Sequence, residues 1–144
     1  MPLQPPFAIL WPVFALAAWT GCVLLLVAAK RVGAGMSGRV HPREYALGES
    51  PNVPAEICLP NRNYMNLLEL PVLFYVACLL AFVTNTGARH LVLLAWLYVA
   101  LRVVHSLIHV TYNHVMHRFA AFAASNFVLA AMWVAIALAI ASAA

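Results

Sequence analysis

Residues 61–71 read NRNYMNLLELP. They open a long apolar segment, yet they carry Arg62, Asn66 and Glu69, spaced four and three residues apart. On an α-helix that spacing lines the three polar side chains along one narrow face. An ionisable group inside an apolar span is costly and calls for a partner within the protein. The partner stripe stands on a later apolar segment, at Arg102, His105 and His109, again at helical spacing. The two stripes are expected to build one site.

Working outward, the composition is that of a membrane protein. The chain has 144 residues, one domain's worth, with 65% hydrophobic and 8% charged residues and a mean hydropathy of +0.91. Four stretches, at residues 7–29, 64–83, 91–110 and 119–143, approach or exceed the roughly 20 apolar residues that cross a bilayer. The predicted fold is all-α, an integral membrane bundle of four transmembrane helices. A net charge of +4 then bears on orientation rather than on nucleic acid, for which no role is expected. Cys22, Cys58 and Cys78 are far apart and form no CxxC, so neither a disulfide framework nor a zinc knuckle is suggested.

Residues 1–6, MPLQPP, carry no basic residue, which argues against a cleaved signal peptide. The WTGC ending at Cys22 is a poor lipoprotein box. Residues 30–61 form a 32-residue polar connection with four of the six glycines, readable as a solvated connector or as a lid over a site. Thr84-Asn85-Thr86-Gly87 is a turn, and the short link around it makes an antiparallel hairpin of the second and third spans.

The first connection carries Lys30, Arg31, Arg39 and Arg43, with Arg62 at its edge, and Arg118 lies near the end of the third. The positive-inside rule places both connections in the cytoplasm and both termini outside. Alanine richness and seven arginines to one lysine point to a bacterial protein, hence to an inner membrane. On this topology Arg62, Glu69, Arg102, His105, His109 and Arg118 all fall in the cytoplasmic half of the membrane.

Three readings of that polar level compete. Glu69 and Arg102 can neutralise one another in a purely structural network. But one carboxylate cannot neutralise Arg62, Arg102 and Arg118 together, and the surplus of positive charge invites an anionic ligand bearing carboxylates or phosphate. The third reading is a metal or haem site on His105 and His109. There is no HExxH, and Arg102 is a poor neighbour for a cation, so no metal is expected. His114 and His117 read as interfacial residues.

The pattern Arg62-x3-Asn66-x2-Glu69, followed by Pro71, with Arg102, positions 105 and 109, and Arg118 in register, resembles the MAPEG family. These are membrane-associated proteins in eicosanoid and glutathione metabolism. The resemblance covers essentially the whole chain, including four spans with a long first connection. It implies a homotrimer with glutathione as co-substrate, bound between neighbouring subunits near the cytoplasmic face. Arg62, Asn66, Glu69, Arg102 and His105 would bind the tripeptide. Arg118 would stabilise its thiolate, with His109 beside it. The implied activity is glutathione transfer to, or glutathione-dependent peroxidase action on, a lipophilic electrophile arriving from the bilayer. Two positions depart from the family. His109 stands where better-known members have tyrosine, and Phe119 stands where one member has a serine proposed to help activate the thiol. A neutral imidazole can accept a thiol proton and an imidazolium can stabilise a thiolate, so either form suits the chemistry.

Overall fold

The computed structural model describes residues 6–46, 48–86 and 88–142. Gly87 of the expected turn, the first five residues of the Pro-rich lead and residue 143 of the last expected span lie outside them. Among the described residues there is no strand. The elements are α1 (Leu10–Met36), α2 (Ala55–Leu68), α3 (Pro71–Val83), α4 (Arg89–Val110) and α5 (Val115–Ala141), with short 3₁₀ turns at Pro6–Ile9 and Pro42–Tyr45. Four segments are long and apolar enough to cross a membrane: Phe7–Met36, Ala55–Val83, Arg89–Val110 and Val115–Ala141. The second of these is α2 and α3 together.

The bundle is held by small and apolar residues at helical spacing. On α3 the buried positions are Pro71, Phe74, Ala77, Cys78 and Ala81, one stripe of the helix. Alanine and cysteine there let backbones approach closely, the usual solution where lipid offers no hydrophobic drive between helices. Phe74 stacks on Tyr98 of α4 at 4.6 Å between ring centroids. Leu16 and Val23 of α1 and Leu129, Met132 and Ile136 of α5 complete the same core. Outward-facing Trp11, Phe14, Leu25, Val83, Phe127 and Leu138 are exposed and apolar, as a lipid-facing surface requires.

α4 packs along α5 and also meets α2 and α1, so it is the central element. Its inward stripe is apolar from Leu91 to Val99 and polar from Arg102 through His105 and Ser106 to His109. The site is therefore the continuation of the core, not an addition to its surface.

The second span is interrupted. α2 ends at Leu68, Glu69 has φ −86° and ψ −101°, and α3 restarts with Pro71 at its first position. Proline has no amide to close the carbonyl four residues back, and its ring crowds that carbonyl. The Glu69–Arg102 ion pair weighed from the sequence does not form within the chain. Among the described residues the ion pairs are Arg31–Glu49 at 3.0 Å and Arg39–Glu56 at 2.6 Å.

Both pairs lie in the first connection, which is folded. α1 runs on to Met36 and α2 starts at Ala55, so the connection expected over residues 30–61 is helical at both ends. Between them Ala34, Val40, Val53, Ile57 and Cys58 form a separate small core, with Tyr45 packed against it. The Arg31 guanidinium sits 4.8 Å from the Tyr45 ring centre, and the Glu44 carboxylate accepts from Ser50 and Asn52.

Candidate functional site

Where α2, α4 and the start of α5 meet, a cleft of about 290 Å³ opens on the side of the bundle. Arg62 and Asn66 of α2 line it, with His105 and His109 of α4, and Val115, Arg118, Phe119 and Phe122 of α5. Five of the seven residues singled out in the sequence thus come together. No acidic side chain lines the cleft, so two guanidinium groups set its field.

Arg118 is placed by the turn before it. Asn113 adopts φ +47°, a left-handed conformation that asparagine tolerates better than most residues, and this turns the chain from α4 into α5. The Asn113 Oδ1 then accepts from Arg118 Nη1 at 2.7 Å. α5 begins at Val115, so Arg118 stands in its first turn, half-buried. His105 Nδ1 lies 3.1 Å from the Arg118 carbonyl oxygen. A carbonyl only accepts, so His105 donates through Nδ1–H, which leaves Nε2 of the neutral ring with its lone pair. The His109 ring meets His105 edge-on at 5.8 Å, and its Nδ1 is buried without a partner.

Arg102 stands behind the cleft and does not line it. It is fully buried, and its Nη2 donates to the Asn66 carbonyl oxygen at 2.6 Å. The Tyr98 and Phe122 rings lie 6.0 and 5.6 Å from its guanidinium carbon. Glu69, at the helix break, is exposed on the flank of the chain and also stays off the cleft wall. Among the described residues it makes no ion pair.

Several contributors escaped the sequence reading. Asn113 carried a signal, an asparagine at a helix boundary five residues before Arg118. Phe122 carried none, being one apolar residue among many on α5. Asn63 is fully buried with both amide atoms unpartnered, and its only sequence mark was polarity beside Arg62. No three His, Cys, Asp or Glu side chains among the described residues gather to hold a metal ion.

Two further depressions adjoin the cleft. An apolar groove of about 390 Å³ runs along α5, sharing Phe119 and Phe122 and continuing past Ala123, Asn126 and Phe127 to Ala130. On the other side a cleft of about 610 Å³ lies between the folded connection and α2, with Arg62 as the shared wall.

The model of the MAPEG family matches residues 9–138, nearly the whole chain. No curated protein and no solved structure matches.

Proposed function

Because the chain belongs to the MAPEG family, integral multi-pass membrane proteins of glutathione and eicosanoid metabolism, we propose that it binds glutathione and delivers its thiol to a lipophilic electrophile, as a transferase or a peroxidase. The observation that carries this reading is the cleft, with its two guanidinium groups, two imidazoles and Asn66, and no carboxylate among them. Glutathione is a tripeptide with two carboxylates, an amine and a thiol, and Arg62 with Asn66 offers donors of the kind that recognise carboxylates. Arg118 is the charge for the thiolate. Nε2 of His105 is the acceptor for the proton the thiol loses, and His109 tunes that transfer. The groove sharing Phe119 and Phe122 is a lipid-side path for the apolar partner.

Glu69 supports the homotrimer. An ionised carboxylate on the bare flank of a spanning segment is too costly to leave against lipid, so a neighbouring subunit covers it. In that assembly Glu69 meets the amine of a tripeptide held between two subunits. The cleft faces the cytoplasm, with the folded connection on that side and both termini across the membrane, in a bacterial inner membrane.

The test is a glutathione titration of detergent-solubilised protein, repeated with S-alkylated glutathione. Saturable binding of both, with a thiolate absorbance from glutathione alone, supports the reading. Absence of binding would leave the polar network structural.

A further inference from the structure

Arg102 presents a problem that the ligand does not solve. Its side chain has no exposed surface within the chain, yet the one hydrogen bond it makes is to a backbone carbonyl. That carbonyl has its own history. In an unbroken helix Asn66 C=O would accept from the amide of Leu70, and Leu67 C=O from the amide of residue 71. Residue 71 is proline, and α2 stops at Leu68. Past the break, the Val72 amide reaches Glu69 C=O and the Leu73 amide reaches Leu70 C=O, at 3.1 and 3.0 Å. Among the described residues no backbone amide outside the helix reaches Asn66 C=O, which takes Nη2 of Arg102 instead.

We propose that Arg102 is a positioning residue, a buried cap on the C-terminus of α2 that holds the second span broken at Glu69 and so sets Asn66 for the ligand. A helix C-terminus carries about half a negative charge, and within a membrane its orphaned carbonyls have no water to satisfy them. A guanidinium answers both needs at once. The charge is further eased by the faces of Tyr98 and Phe122. Nε and Nη1 of Arg102 have no partner among the described residues.

The consequence for the site is geometric. A continuous helix would keep Glu69 within one turn of Asn66 on the same face. The departure lies in ψ of Glu69, beyond its side chain, so Glu69 keeps its place one turn on from Asn66, exposed on the flank, and it is α3 that is redirected. What the cap fixes is the end of α2, with Asn66, against α4. This role rests on the glutathione reading for its function, but the cap itself does not.

A double-mutant cycle of Arg102→Met with Pro71→Ala separates the two. Pro71→Ala restores an amide for Leu67 C=O and lets the helix run through. In the wild-type background Arg102→Met is expected to lower Tm by about 5 °C or more, and Arg102→Lys by less. In the Pro71→Ala background the loss from Arg102→Met shrinks to less than half. Glutathione affinity, in contrast, is expected to stay weakened at least about tenfold in Pro71→Ala with or without Arg102, because the healed helix takes the Asn66 carbonyl from Arg102 and lets α2 shift against α4. Equal Tm losses in the two backgrounds, or failure of Arg102→Met to fold in both, would overturn the cap. Wild-type affinity in Pro71→Ala would overturn the positioning role. If the wild-type protein binds no glutathione at all, the functional reading falls, and the Tm cycle still decides whether Arg102 caps α2.

Discussion

Arg118 carries the chemistry in this account, and Asn113 holds it in place. If the guanidinium stabilises the thiolate by direct charge pairing, Arg118→Leu costs turnover far more than it costs glutathione affinity. One pKa unit of the bound thiol corresponds to about 1.4 kcal/mol, or tenfold in the thiolate fraction well below that pKa. Arg118→Lys is expected to rescue only in part, since an ammonium lacks the planar fork. Asn113→Ala removes the 2.7 Å bond to Nη1 and is expected to lower kcat several-fold while leaving KM for glutathione nearly unchanged. Steady-state kinetics on the three variants check this. A parallel rise in KM for Arg118→Leu would move Arg118 from the thiol to the ligand's carboxylates. For His109, replacement by Phe is expected to shift the pH profile of turnover, and replacement by Tyr to preserve activity with a profile like that of the relatives. An unchanged profile in both would remove His109 from the proton path.

At the scale of the element, the folded first connection and the broken second span matter most. Arg31 and Glu49 pair at 3.0 Å with Glu49 only 11% exposed, whereas Arg39 and Glu56 are each more than half exposed. Exposed pairs contribute about 0–1 kcal/mol, and partly buried ones with an aromatic neighbour contribute more. Arg31→Met is therefore expected to loosen the connection and make the Arg39 and Arg43 bonds sensitive to trypsin, while Glu56→Gln leaves them resistant. Limited proteolysis reads both, and equal cleavage in the two variants would contradict the ranking.

The same two elements mark where the sequence was legible. Helical periodicity aligns Arg62 with Asn66 and His105 with His109, and the packing of α2 on α4 brings the two pairs to one cleft. The small core around Tyr45 was not legible. Its ion pairs join residues 17 and 18 apart across an irregular loop, and no periodicity encodes such contacts. The break at Glu69 was half-legible. Pro71 was in plain view, but a proline at the start of a helix and one inside a longer helix look alike in sequence. That ambiguity hid the carbonyl that Arg102 caps.

For the whole molecule, orientation and assembly decide what the site can meet. With the first connection in the cytoplasm, Ser37→Cys is expected to be shielded from a membrane-impermeant thiol reagent applied outside, and Thr86→Cys to be labelled. The exposed Cys22 is replaced first to silence its background. Labelling of position 37 from outside would invert the topology. Glu69→Gln tests the assembly. It is expected to leave the proposed trimer intact and to weaken glutathione binding at least about tenfold, or 1.4 kcal/mol, a water-softened fraction of the roughly 3–5 kcal/mol for breaking a buried charge pair. Normal binding with loss of the trimer would make Glu69 a subunit contact only.

The central claim is that the cleft between α2, α4 and α5 binds glutathione and ionises its thiol. The most direct measurement is the thiolate absorbance that develops when glutathione is added to the solubilised protein, followed against pH in wild type and Arg118→Leu. The account predicts a saturable thiolate signal in wild type below the pH at which free glutathione ionises. It predicts loss of that signal in Arg118→Leu under conditions where glutathione still binds. A titration at the same pH in the two proteins would contradict it.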